Sequence, residues 1–170
     1  MVYIIMGVSG SGKTTIGKML AQKLSMQFYD ADDNHTECNI IKMNSGVPLD
    51  DDDRRTWLTE LAMNVTRWNK GAGAVLACSA LKEKYRRIIS RDRKEKVIFI
   101  HLQGDKNTIF ERIKRREKHF FPVVLVESQF DALEAPQDAI TVQIDKSPEE
   151  ICAEIIYNLN RNGRTSQATR

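Results

Sequence analysis

Little in these 170 residues punctuates or cross-links the chain: it has 4 prolines, 3 cysteines and 9 glycines, and aromatics make up 7%. So few prolines and glycines exclude a collagen-like or linker-like polymer, and 41% hydrophobic residues suffice for a packed core. Cys38, Cys78 and Cys152 are an odd number with no C-x-x-C spacing. That excludes a disulfide framework and a zinc site, and makes a reducing, cytoplasmic setting the expectation. No apolar run nears the roughly 18 residues of a membrane helix. The apolar opening Met1 to Met6 is too short for a secretory signal and lacks a basic leader.

Net charge is also scarce, at +3, which argues against a nucleic-acid partner. Its distribution is uneven. Residues 28–60 carry 9 acidic and 3 basic side chains, whereas residues 82–118 carry 14 basic and 6 acidic ones. Two solvated faces would account for this, and so would one site that grips a polyanion together with a cation.

The hydrophobic pattern alternates between two periods. Val2 to Met6 is a short β-branched run stopped by Gly7, and Ile16, Met19, Leu20 and Leu24 then recur at helical spacing over Lys13 to Leu24. Phe28-Tyr29 begins a brief strand ending in Asp30. Residues 35–69 read as helical, broken around Ser45 to Pro48, with an N-cap among Asp50 to Asp53. Strands follow at Ala74 to Ala77, Val97 to Ile100 and Ile140 to Ile144. Helices are expected over Leu81 to Ile89, residues 106–116, and Pro148 to Leu159. Residues 117–136 show no clear period, and Gly163 to Arg170 reads as a frayed tail. Strands alternating with helices predict one three-layer α/β domain: a parallel five-stranded sheet covered on both faces.

Between the first strand and helix, Gly7-Val8-Ser9-Gly10-Ser11-Gly12-Lys13-Thr14 matches G-x-x-x-x-G-K-[ST] without departure. Such glycines let successive N–H groups converge on one concavity, and the helix that follows adds its positive end. Lys13 is expected on the β- and γ-phosphates of a nucleoside triphosphate, with the Thr14 hydroxyl on magnesium. An Asn-Lys-x-Asp segment, which a guanine-nucleotide switch would carry, is absent. Just beyond the second strand, Asp30, Asp32 and Asp33 lie at the end of the sheet that lines the ligand crevice. They read either as an acidic cap or as the carboxylates that phosphoryl transfer to an alcohol needs.

With these pieces in place the chain resembles the gluconate kinase (gluconokinase) family, a relative of the shikimate and nucleoside monophosphate kinases. The resemblance runs from about residue 3 to residue 158. It rests on GVSGSGKTTIG, FYDADDNH, the N-x-x-K-M-x-x-G-x-P-L string from Asn39 to Leu49, D-x-D-R ending at Arg54, and Trp57-Leu58. It continues with ACSALKEKYR, with R-x-x-x-R-x-x-H-F-F-P from Arg112 to Pro122, and with SQFDALE from Ser128 to Glu134. Thr36 and Thr56 stand where the family often has proline, Lys118 where it has glycine, and Phe121 where it has methionine.

The resemblance implies a P-loop kinase fold over residues 1–160, with a small lid at about 115–135 and a tail at 161–170. It implies transfer of the ATP γ-phosphoryl group to the 6-hydroxyl of D-gluconate, giving 6-phosphogluconate and ADP. Catalysis would fall to Lys13, Asp32 and Arg116. ATP would be held by Gly7 to Thr14, Thr15, Arg112, Arg116 and Pro148, and Mg2+ by Thr14 and Asp30. Asp32, His35, Arg54, Ser79, Lys82 and Arg86 are candidates for contact with gluconate. For Arg54 the alternative is a salt bridge within the acidic helix start, for His35 a capping role, and for Arg86 a structural one. Cys78 is expected to be a core residue. The arginines ending the fifth helix read as a charge clamp within the lid or as dipole complementation, and Phe120-Phe121 as lid packing. A homodimer follows from the family alone. Shikimate kinases typically carry Gly-Gly-Gly where this chain has Cys78-Ser79-Ala80. A non-catalytic P-loop protein would need no acceptor pocket.

Overall fold

The computed structural model describes residues 1–91, 96–115 and 123–167, without the side chains of 123–124 and 162–167. Five strands form one sheet: β1 (Val2–Met6), β2 (Phe28–Asp30), β3 (Ala74–Ala77), β4 (Val97–Gln103) and β5 (Ile140–Gln143). Their order is β2-β3-β1-β4-β5, and every pairing is parallel. The central strand β1 reads as a solid apolar run because both of its faces are covered. Ile5 packs toward α1 (Lys13–Leu24), α5 (Lys106–Lys114), α6 (Val123–Ala132) and α7 (Pro148–Gln167). Val2, Ile4 and Met6 point the other way, toward α3 (Asp51–Lys70) and α4 (Glu83–Ser90). The second short helix, α2 (Glu37–Asn44), precedes α3.

Local chemistry sets the helix ends. The Asp50 carboxylate accepts the Asp53 N–H at 2.9 Å while that of Asp53 accepts the Asp50 N–H at 2.8 Å, a reciprocal capping box that starts α3. Thr36, where the family often has proline, caps α2 by accepting the Asn39 N–H at 3.3 Å. By contrast α1 starts at Gly12, with φ 98° and no capping side chain, which leaves first-turn N–H groups for a ligand.

The expected elements are present, and the differences that bear on the site or the chain's end are these. Strand β4 continues to Gln103 because its alternating tail, His101 and Gln103, pairs with Thr141 and Gln143 of β5. α4 starts at Glu83, two residues later than the apolar spacing suggests. Residues 123–132, where the sequence shows no clear period, form α6; its opening Val-Val-Leu-Val has no polar gaps from which a helical period could be read. The final helix runs to Gln167, through residues expected to fray. No helix among the described residues is long and apolar enough to cross a membrane.

Candidate active site

The loop between β1 and α1 depends on two glycines for its shape. Gly10 has φ +85°, and a Cβ there would lie 2.9 Å from Ile113 Cγ1. Gly7 has φ +142°, and its Cβ would meet the Leu102 carbonyl oxygen at 2.8 Å. Inside the curl, the Ser11 N–H donates to Val8 O at 3.2 Å and Lys13 Nζ donates to Val8 O at 3.1 Å. The Ser11 side chain is fully buried, and its Oγ has no hydrogen-bond partner. The Ser9 N–H donates to Gln129 Oε1 at 2.6 Å, and the Gly7 N–H donates to Ser79 O at 3.4 Å.

On one side of this loop lies a cavity of about 260 Å³, lined by Gly10 to Gly12, Thr15, Ile16, Arg112, Arg115, Lys146, Pro148 and Ile151. The Arg112 guanidinium donates to Ile144 O, and its Nη1 lies 4.0 Å from where a Gly12 Cβ would be. The expected Arg112 and Pro148 thus meet the phosphate loop. Arg116, and with it Lys118, His119, Phe120, Phe121 and Pro122, lies outside the described residues.

The other side carries the carboxylates. Thr14 Oγ1 donates to Asp30 Oδ2 at 2.8 Å, while Asp30 Oδ1 accepts the Asp32 N–H at 3.2 Å and starts the 3-10 turn Ala31–Asn34. Trp57 Nε1 donates to Ala31 O at 2.9 Å and so fastens that turn to α3. Asp32 is solvent-facing, with 73% of its side chain exposed, yet the cleft walls push its carboxyl above the ordinary range. The Lys13 charge opposes that push, Asp30 adds to it, and the open mouth screens all three. His35 is 6% exposed at its side chain, stacks on Trp57 at 4.4 Å, and brings Nε2 within 3.8 Å of Asp32 Oδ1. Burial lowers its pKa, Asp32 works against that, and Arg54 adds to it. His35 Nδ1 is buried without a partner, while the His35 N–H donates to Asp32 O at 3.4 Å and so caps the end of the 3-10 turn, and Thr36 caps the start of α2.

Arg54 makes no salt bridge with the acidic helix start: its Nη1 donates to Leu49 O and Asp50 O, and its guanidinium lies 5.6 Å from the Tyr85 ring. Lys82 Nζ donates to Asp51 Oδ1 at 3.2 Å and also sits 5.6 Å from Tyr85. Asp51 is shared with Lys84 and the Tyr85 hydroxyl, and these partners hold its carboxyl far below the carboxylate range. Burial and then Asp51 push Tyr85 up to about 12. For Arg86 the contacts are those of the structural alternative. It is buried and donates Nη1 to Ala80 O and Leu81 O at 3.0 and 2.8 Å, which shapes the loop after β3 from within. Cys78 is a core residue, as expected: burial pushes its thiol up to about 12.

Asp51, Gln129 and Glu134 were missed by sequence reasoning as site partners. For Asp51 a signal existed, since it heads α3 among acidic residues opposite the basic Lys82 to Tyr85 stretch. For Gln129, only its place in the SQFDALE string marked it.

A glycine-rich loop opening a helix, with carboxylates beside it at the carboxyl edge of a parallel sheet, defines a P-loop small-molecule kinase. The shikimate kinase family profile matches residues 9–160. A probable gluconokinase of Rattus norvegicus is 43% identical, over 93% of this chain and 97% of that protein. The thermosensitive gluconokinase of Escherichia coli K12 is 42% identical, over 94% and 89%. The crystal structure of a gluconokinase from Sinorhizobium meliloti 1021 superposes with a TM-score of 0.89 at 32% identity, covering 99% of this chain and 96% of that one. The chain belongs to the gluconokinase family, within the shikimate kinase-like P-loop kinases.

Proposed function

We propose that this chain transfers the γ-phosphoryl group of ATP to the 6-hydroxyl of D-gluconate. The observation that carries this is the facing of two sets of groups: the phosphate loop with Lys13 on one side, and the Asp30 and Asp32 carboxylates with His35 and Arg54 on the other. Full-length relatives named gluconokinase at about 40% identity support the substrate. In this reading Asp32 orients the acceptor hydroxyl and takes its proton as the new P–O bond forms and the bond to ADP breaks. Arg54 offers a planar fork to the gluconate carboxylate, with Ser79 and Lys82 beside it. The 260 Å³ cavity holds the nucleotide between Arg112, Thr15 and Pro148.

Magnesium belongs to the same proposal. Among the described residues no three His, Cys, Asp or Glu side chains make a self-sufficient metal site. A Thr14 hydroxyl and an Asp30 carboxylate in contact are instead the hard-oxygen pair that would suit Mg2+. Bound there, the ion supplies charge neutralisation at the β- and γ-phosphates. Arg116 and a lid at about 115–135, a cytoplasmic setting, a homodimer, and the absence of nucleic-acid or membrane partners complete the reading. The three free thiols support the setting and the small net charge supports the last point.

Lys13→Ala tests the ATP site. The variant should lose gluconate-dependent ADP release while its melting temperature stays near that of the parent, because this ammonium group serves the phosphates and not the core. Near-parental turnover would remove the phosphate loop from the reaction.

A further inference from the structure

The SQFDALE string runs from Ser128 to Glu134. It occupies the end of α6 and the residues just beyond, and its two polar ends meet two different loops. Gln129 Oε1 accepts the Ser9 N–H of the phosphate loop at 2.6 Å, across 120 residues of sequence. Glu134 donates its N–H to Leu81 O at 3.0 Å, and its Oε2 accepts the Glu83 N–H at 2.5 Å where α4 starts. Between them Phe130 and Leu133 pack on the core beside Val126, which is fully buried. Gln129 is therefore carried by a helix anchored in the core, not by a surface loop.

Ser9 is the third residue of the phosphate loop, and its N–H belongs to the set that such a loop turns toward phosphate oxygens. Gln129 Oε1 and a terminal phosphoryl oxygen are thus acceptors for one donor. The residue type suits that position. A carboxamide carries an acceptor and two donors at the same end and exchanges them by turning its last torsion. With its oxygen forward it takes the Ser9 N–H; turned, it offers N–H groups to a phosphoryl oxygen. A carboxylate manages only the first and repels a triphosphate.

We propose that Gln129 is a γ-phosphate-contacting residue, through which α6 distinguishes ATP from ADP at this site. The inference deepens the reading of the phosphate loop as the ATP site and rests on it. Glu134 gives the contact a second consequence, because the same segment braces the loop after β3 on the acceptor side.

Gln129→Glu and Gln129→Ala in the full chain decide the matter. Binding of ADP and of a non-hydrolysable ATP analogue is measured by calorimetry, with melting temperatures and gluconate kinetics alongside. Gln129→Glu retains the acceptor for Ser9, so its melting temperature without nucleotide should stay near the parent's. In both variants affinity for the ATP analogue should fall about tenfold or more, as for the loss of a charge-assisted hydrogen bond, with a parallel loss in kcat. Affinity for ADP should change by less than about threefold, since ADP has no γ-phosphoryl group. A variant ratio of ATP-analogue to ADP affinity equal to the parent's, with only the melting temperature lowered, would make Gln129 a fastening for α6 and overturn the inference alone. A parent protein that binds neither nucleotide would overturn the ATP-site reading and this inference with it.

Discussion

Lys13 and Asp30 act on Asp32 with opposite signs, and His35 stands behind it, so the four side chains form one electrostatic unit. Their separate roles predict separable defects. Asp32→Asn keeps the size but loses the charge and most of the proton affinity; kcat should fall by roughly 10²–10⁴, with the KM for ATP nearly unchanged. Asp30→Asn should instead raise the magnesium requirement, because it weakens the partner of the Thr14 hydroxyl. Steady-state rates over a magnesium series separate the two, and an Asp32→Asn variant with parental kcat would take the acceptor role from Asp32. His35 predicts a pH effect on stability. Burial holds its folded-state pKa below the ordinary 6.5, as it does that of His101, so the unfolded chain takes up these protons first. Their contribution is complete above pH 6.5 and is lost as pH falls through the lowered folded-state values. The raised Asp32 carboxyl works the other way, toward acid. Melting temperatures between pH 7.5 and 5.5 should therefore drop in the parent and drop less in His35→Gln; equal slopes would contradict the assignment. Thr14, Asp30 and Asp32 were legible from sequence because local motifs place them. The Ser9–Gln129 contact was not, because only the closed fold brings its ends together.

The elements differ in how their stability is written. Strands β1 and β3 are apolar throughout because helices cover both faces, so a short run without alternation sufficed to locate them. Helix α6 has a similar solid run, Val-Val-Leu-Val, and on that pattern it is indistinguishable from a buried strand or loop; only the burial of Val126 in the core that also holds Ile109 and Ile113 of α5 resolves it. The acidic start of α3 was legible as a cap, although which of four aspartates caps was not. The Asp50–Asp53 reciprocity answers that and predicts that Asp50→Ala costs about 1 kcal/mol in urea unfolding. The same variant should keep its turnover at saturating substrate. A loss below about 0.3 kcal/mol would mean that Asp52 or Asp51 takes over the cap.

At the scale of the whole molecule, two functional halves are built on one edge of one sheet. In the proposed reading the nucleotide half uses α1, α5 and α7, whereas the acceptor half uses the turn after β2, α3 and the loop after β3. The uneven charge of the sequence maps onto this division only in part. The acidic stretch supplies Asp30 and Asp32, but several basic residues of 82–118 serve structure: Arg86 holds carbonyls, Lys84 pairs with Asp51, and Lys114 pairs with Glu111. Charge counting was therefore a guide to the presence of a site and a poor guide to its members. In the proposed reading the acceptor half selects a sugar acid and not the substrates of neighbouring kinases. That selection is tested most directly by coupled ADP release from the purified protein with D-gluconate, shikimate and nucleoside monophosphates at equal concentrations. Gluconate-dependent release at least about 10²-fold above the others, lost in Lys13→Ala, is the predicted result. Release that is equal across the panel, or highest with shikimate or a nucleoside monophosphate, would contradict it.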